Sequence, residues 1–384
     1  MSQSSALSHV SSYARTRRTA ARKTIDHVGA MCNLSPAAIE HAVACVRRHA
    51  QIALHFHPDR PDEQHRTVAE SLLDSGIYKS QFETLLSNGS VSAFAGGARD
   101  LWEQRLFGGA YQLPDTTAAH RPKYGSLDLL RHAGGPSPRF GSCYFLLSPA
   151  VSARATYTYL DSYQDPPEKG TFEELDDIVA ALLAETFTRE FAIGEPALTP
   201  GRLIQHLAAL DQPFADPSGR APTRNLNHYV EAQVHGDVRL DTDVDILVAD
   251  PSFQATDVGR TLASLCERYQ IRCVWHPGYA LLASDVPPDF RGPAMPSLAA
   301  RIAIDGRVDA AAIGRAAMAL KRDPAAWADR GEPGKVLQEL KLLWHVLVRF
   351  GHPHASGARG VHHSNQENPN DAATTPDSGG AQMR

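Results

Sequence analysis

Apolar positions along the chain fall into alternating runs and helical stripes, and the switches between the two periods predict most of the elements. Ser35-Pro36 pairs a capping side chain with a proline at the first helical position, which predicts a helix to about His49. Ile52, Leu54 and Phe56 alternate with Ala53, His55 and His57, which predicts a strand ending in the turn Pro58-Asp59-Arg60. A helix over 63–73 stops at Gly76. Residues 77–126 carry Gly, Ser, aromatic and charged residues with few periodic runs, and long loops of that kind are most often functional. Trp102, Phe107 and Tyr111 imply that this stretch packs over something.

Further along, strands are predicted at 140–147 and 155–160. Thr171-Phe172-Glu173-Glu174 has the form of a capping box and predicts an amphipathic helix to Phe187. A short helix at 201–210 lies within a proline-rich passage, followed by strands at 228–234 and 244–249. A helix at 257–269, a strand at 271–275 and a helical stretch over 297–350 complete the ordered part. The pattern is α+β and has no internal repeat.

Composition narrows the class. The chain has 384 residues, 42% hydrophobic and 21% charged, enough for a sizeable core and unlike a disordered, collagenous or coiled-coil chain. No apolar run approaches about 20 residues, so no membrane-spanning helix and no membrane partner are expected. A net charge of −5 argues against dedicated nucleic-acid binding. The start, MSQSSALSHV, lacks the pattern of an export signal, and five scattered cysteines fit reduced thiols, so a cytoplasmic location is expected. The expected organisation is a basic lead, mobile or helical, at 1–24, a main domain at 25–296, a helical segment at 297–350 and a disordered tail at 351–384.

Four segments hold candidate chemistry. His55 and His57 share one strand face, and such a pair can bind zinc if further ligands join it, which would suit a metal-dependent hydrolase. No diagnostic partner follows downstream, so no metal ligand is assigned. Either imidazole, or Arg60, can instead face a nucleotide. The stretch from Ser75 to Thr84, which includes Gln81, crowds polar side chains beside aromatics and reads as a small-molecule recognition loop, with Ser87-Asn88-Gly89 beyond it. Arg121-Pro122-Lys123-Tyr124-Gly125-Ser126 and Arg139-Phe140-Gly141-Ser142-Cys143-Tyr144 form a third candidate. Gly141 and Ser142 allow close backbone approach, and Cys143 reads as a buried thiol. In the fourth, Tyr229, Glu231, Gln233 and His235 fall on one strand face, opposite Val230, Ala232 and Val234, as in a strand lining a cleft.

VRRHAQIALHFHPDR resembles the helix-to-loop junction of J-domain cochaperones, which would imply a non-enzymatic interaction module. The strings FHPDR, SGIYKSQFET, SNG, GGARDLWE, LFGGAY, RPKYGSL, RFGSCYF, EAQVHG and VADPSF resemble a family of uncharacterised bacterial proteins, domain of unknown function 3626. One departure is Leu85, where that family pattern implies Gly.

More distantly, the order HFH, helix to Gly76, FGSCYF and YVEAQ is similar to the ADP-ribosyltransferase fold. That likeness implies a split antiparallel sheet with flanking helices, NAD as substrate, and transfer of ADP-ribose or cleavage of NAD. The acceptor is left open, and a module that only binds a nucleotide is the alternative. On this likeness Glu231 stabilises an oxocarbenium-like centre. Tyr144 stacks on nicotinamide, while Gly141 and Ser142 hold its carboxamide. His55 or His57 contacts ribose, Arg60 or Arg139 takes phosphate, and Gln81 and Gln233 complete the binding set. Gln233 stands where arginine-modifying transferases carry their catalytic carboxylate.

Overall fold

The computed structural model describes residues 2–85 and 93–354. Ser87-Asn88-Gly89 and residues 355–384 of the expected tail lie outside the described residues. The chain opens with helix α1 (Ser2–Met31), followed by α2 (Pro36–His49), strand β1 (Gln51–Phe56) and α3 (Val68–Ser75). Two short helices, α4 (Gln81–Thr84) and α5 (Ala98–Leu106), lead to β2 (Lys123–Asp128), β3 (Cys143–Leu147), β4 (Ala155–Tyr159) and β5 (Lys169–Thr171). Helices α6 (Asp176–Arg189) and α7 (Pro200–Ala208) precede β6 (Val230–Val234) and β7 (Val244–Ala249). Then come α8 (Asp257–Tyr269), β8 (Arg272–Trp275), α9 (Met295–Ile302), α10 (Ala310–Arg322) and α11 (Pro333–Phe350).

Local caps explain several boundaries. Ser35 accepts from the Ala38 amide and Pro36 opens α2. Thr67 and Glu70 form a reciprocal capping box, so α3 starts five residues later than the apolar pattern predicts, and Gly76 closes it in the left-handed region. Thr171 Oγ1 does accept from the Glu174 amide, at 3.2 Å, but α6 begins beyond it at Asp176. The Glu174 carboxylate instead receives Arg15 and Arg18 from α1. Together with Arg17 to Asp177 and Arg22 to Asp176, these pairs hold α1 along α6. Residue 24, the expected boundary of the basic lead, falls inside α1.

The eight strands form one mixed sheet in the order β8-β7-β3-β1-β2-β6-β4-β5, with only the β7–β8 pair parallel. One face carries Ile52, Leu54, Phe56, Phe145 and Leu147 into a large core that extends from Val28 to Val348 and includes Leu340, Leu343 and Leu347 of α11. The opposite face is apolar only toward β7, where Ala53, Tyr144, Leu146, Ile246 and Val248 pack with Phe214.

The centre of the sheet is forked. β1 pairs with β2 only from Gln51 to Ala53, against Asp128 to Ser126. Beyond that point β1 continues on β3 from Ala53 to Phe56, whereas β2 continues on β6 from Ser126 to Lys123. A backbone carbonyl at the split needs another partner, and the Tyr78 hydroxyl supplies it by donating to the His55 carbonyl at 3.2 Å. Gly125 sits at the crotch, where a Cβ would lie 2.5 Å from the Ala53 carbonyl oxygen, so only glycine lets the strands meet there.

Leu85 ends α4 in the left-handed region, with φ 53°, at a position 71% exposed. A branched side chain is disfavoured in that conformation and gains no burial in return. Leu85→Gly is expected to raise stability by about 0.5–1 kcal/mol, read as a higher urea midpoint at unchanged slope.

Candidate active site in the forked sheet

The fork holds a cavity of about 670 Å³, within the range of small-molecule sites. β1 contributes His55 and Phe56, with His57 just beyond its end, to one wall, and β2 contributes Lys123, Tyr124 and Gly125 to the other. The floor is Glu231 of β6, beside Asp161 from the turn after β4. Sheet register explains this placement. Glu231 lies between Ser126 and Thr158, and Gln233 between Tyr124 and Thr156, so the polar face of β6 looks into the opening left by β1.

Glu231 is buried and held from two sides. Its Oε1 accepts from the Gln233 side-chain amide at 2.9 Å, and its Oε2 from the Ser162 backbone amide at 3.4 Å. Burial above all, with the neighbouring Asp161 carboxylate second, pushes the Glu231 carboxyl up to about 7, against those two hydrogen bonds. Asp161 is fixed in turn by the Tyr229 hydroxyl, which donates to it at 3.1 Å, and by the Tyr163 amide at 3.0 Å. The site therefore presents a carboxyl group that ionises near neutrality, next to a second carboxylate.

The two histidines differ. His55 donates from Nδ1 to the Gly141 carbonyl at 3.2 Å and accepts the Ser137 amide on Nε2 at 3.4 Å, and burial pushes it down to about 3. It is a neutral wall residue with both nitrogens occupied. His57 meets the Ser142 hydroxyl through Nδ1 at 3.4 Å and packs edge-on against Trp344. Its Nε2 has no hydrogen-bond partner among the described residues, and burial holds the ring neutral.

Cationic side chains rim the cavity. Arg60, Arg139 and Arg99 all line it, and none forms an ion pair among the described residues. Arg139 donates to the Asn227 side chain at 2.7 Å. Arg99 is stacked between Trp102 and Tyr124, at 4.4 and 4.9 Å from the ring centroids. Gln81 also lines the cavity, and its side-chain oxygen is buried with no partner, which leaves an acceptor for a ligand donor.

The structure thus gathers Glu231, His55, His57, Arg60, Arg139 and Gln81 around one opening. It does not place Tyr144, Gly141, Ser142 or Gln233 on the wall. Tyr144 is fully buried behind His55, stacked on it at 4.8 Å, and its hydroxyl donates to the Ala133 carbonyl at 3.4 Å. It shares the correct sheet face, but the apolar cluster toward β7 closes that part of the face. Gly141 abuts the Phe56 backbone, where a Cβ would come within 2.3 Å, and Ser142 backs His57. Gln233 orients Glu231. Cys143 is a fully buried thiol whose pKa burial raises.

Three wall residues escape the sequence reading of roles: Tyr124, Asp161 and Arg99. Tyr124 is half-buried and donates from its hydroxyl to Glu103 at 2.8 Å, and Glu103 in turn accepts from Arg121 at 2.9 Å. Its ring is on the Glu231 face of the adjacent strand. The string Lys-Tyr-Gly-Ser-Leu-Asp has no apolar alternation to announce a strand, so the face of Tyr124 is unreadable from it.

His57-Pro58-Asp59 is buried, with Asp59 against Gly314 of α10. No group of three or more His, Cys, Asp or Glu among the described residues is arranged to hold a metal ion. Among them, no helix is long and apolar enough to cross a membrane.

A mixed α/β protein with a polar cavity in a forked, mainly antiparallel sheet is the class that fold and site define. The family model for proteins of unknown function DUF3626 matches residues 51–350, and the chain belongs to that family. The match begins at β1 and ends at the last residue of α11, so it takes in both walls of the fork. No curated protein matches the chain.

Glu231 is expected to titrate near pH 7, followed by carboxyl difference infrared spectra with Glu231→Gln as the blank. Asp161→Asn removes the like-charged neighbour and is expected to lower that midpoint, whereas an unchanged midpoint would leave burial as the sole cause.

Proposed function

We infer that this protein is an ADP-ribosyltransferase-like or NAD-cleaving protein that works in the fork of its sheet. The observation that carries the reading is a single one: Glu231, a carboxyl poised to ionise near pH 7, forms the floor of a nucleotide-sized cavity rimmed by arginines. The forked antiparallel sheet supports the finer fold assignment, because an opening between two strand sets is what the transferase likeness implies.

Cleavage of the nicotinamide–ribose bond sends the bonding pair to the departing ring and leaves positive charge on the anomeric carbon and ring oxygen. An ionised Glu231 stabilises that charge in a site where burial keeps the interaction strong. Attack by water or an acceptor hydroxyl then forms the new bond and releases its proton. With water the products are nicotinamide, ADP-ribose and a proton. Gln233 acts as a positioning residue for Glu231 and does not itself meet the substrate. The ring for stacking on nicotinamide passes from Tyr144 to Tyr124, whose orientation Arg99 and Trp102 fix. His57 Nε2 is the imidazole nitrogen left for a ribose hydroxyl, and Gln81 offers its unpartnered oxygen to a ligand donor.

The test is nicotinamide release from NAD by the full chain. Release should depend on Glu231, with Glu231→Gln slower by at least about 100-fold, the scale on which removing one charge-stabilising group acts. The sign of the pH effect follows from the raised carboxyl. Below about 7 Glu231 is neutral and inactive, above it ionised, so the rate should climb through pH 7. Background release by the unaltered protein, or equal release by both, ends the catalytic reading. Binding of NAD without release would instead favour the nucleotide-binding module.

A further inference from the structure

Alternation along β6 puts His235, just past the end of the strand, on the face that carries Glu231 and Gln233, yet no step of the NAD reading uses it. It is fully buried, as are Thr156 of β4 and Tyr111 of the turn after α5. Four hydrogen bonds join these side chains in series to Glu231. The Tyr111 hydroxyl lies 2.5 Å from His235 Nδ1, and His235 Nε2 lies 3.1 Å from Thr156 Oγ1. Thr156 Oγ1 lies 2.7 Å from Gln233 Oε1, and Gln233 Nε2 lies 2.9 Å from Glu231 Oε1.

The direction of each hydrogen in this series is fixed from the Glu231 end. The Thr158 hydroxyl donates to the Leu160 carbonyl at 2.9 Å, so toward Gln233 Nε2, at 3.3 Å, it can only accept. That places the Gln233 amide nitrogen on the Glu231 side and its oxygen on the Thr156 side. The oxygen only accepts, so the Thr156 hydroxyl donates its single hydrogen there. Toward His235 that hydroxyl therefore accepts, which puts the imidazole hydrogen on Nε2 and leaves Nδ1 to accept from Tyr111. Every donor points toward Glu231.

The imidazole is also held in place. Tyr111 stacks on it at 5.9 Å between centroids and Phe107 meets it edge-on at 5.2 Å, and both rings pack with Ala6 and Val10 of α1. Burial first, then Lys123 of β2 and Arg154 ahead of β4, push its pKa down to about 3, so it stays a neutral donor. The titratable neighbours of Glu231 are Asp161, Tyr124 and Tyr229, none of which belongs to the series.

We propose that Tyr111, His235 and Thr156 are positioning residues, a one-way hydrogen-bond chain that holds the Gln233 amide in its donating orientation and so aims and stabilises the ionised Glu231 carboxylate. Aligned donors strengthen the last bond of a chain, and a bond to the charged form favours ionisation. The consequence for catalysis rests on the NAD reading, whereas the chain itself does not.

The experiment follows the Glu231 carboxyl by difference infrared titration of the full chain, with nicotinamide release measured alongside. Thr156→Val keeps the side-chain shape but removes the hydroxyl, and it should raise the Glu231 midpoint by about one pH unit, as for loss of a hydrogen bond to a charged group. Thr156→Ser, which keeps the hydroxyl, should return the midpoint to its wild-type value. His235→Leu should raise it in the same way, and His235→Gln, whose amide nitrogen can donate to Thr156, should bring it back. Ring nitrogen chemical shifts of histidine-labelled protein should show His235 as the Nε2–H tautomer, assigned by the signal that His235→Gln removes. Thermal unfolding verifies each variant, and if His235→Leu does not fold, the Thr156 pair carries the test. An unmoved midpoint in folded Thr156→Val, equal midpoints in Thr156→Val and Thr156→Ser, or an Nδ1–H ring would overturn the proposal. A raised midpoint with background nicotinamide release would keep the chain and discard the NAD chemistry. Glu231-dependent release with an unmoved midpoint would do the reverse.

Discussion

The structure turns on how briefly β1 and β2 pair. Three residue pairs, Gln51 to Ala53 against Asp128 to Ser126, join the two halves of the sheet, and then each strand follows its outer neighbour. A continuous sheet would have closed the gap between β1 and β2, and β6, which β2 and β4 pair on its two sides, would have had no opening to β1. Because the strands part, His57 and Tyr124 stand across a gap with Glu231 beneath. The fork is held by specific local features. Gly125 permits contact at its base, the Tyr78 hydroxyl satisfies a carbonyl on the β1 arm, and Gly141 lets the segment behind β1 press against Phe56.

Glu231 and Asp161 share the floor of the cavity, and Arg60, Arg99 and Arg139 line it without a salt bridge among the described residues, whereas Arg66 on the same lining pairs with Asp62 and Asp74. Burial raises the cost of leaving either group unmatched, so the arrangement favours a ligand that is cationic or becomes cationic at one point and anionic at another. Some enclosed charges are matched locally, as where Arg121 meets Asp100 and Glu103 and Arg330 meets Glu339.

Much of the fold was legible because its signals are local. Ser35-Pro36 marks α2, Gly76 marks the end of α3, and the alternation through Ile52, Leu54 and Phe56 marks β1. Two elements hid for physical reasons. Helix α1 buries small residues, Ala6, Val10, Ala14 and Ala21, and is held by arginines reaching to α6, so its pattern lacks a large apolar stripe. Strand β2 carries Lys123, buried with its ammonium donating to two backbone carbonyls, and Gly125 where an apolar residue would signal a strand. For the site, alternation put Glu231 and Tyr144 on the right face, but which part of a face is open depends on distant packing. Phe214 and the β7 side chains close the region around Tyr144, and no periodicity along β3 encodes that.

The most direct test of the central claim is a crystal structure of the Glu231→Gln protein grown with NAD. The account predicts dinucleotide density within the fork, its nicotinamide against Tyr124 and its anomeric carbon beside residue 231. Dinucleotide bound anywhere else on the protein, or crystals at saturating NAD with the fork empty, would contradict it.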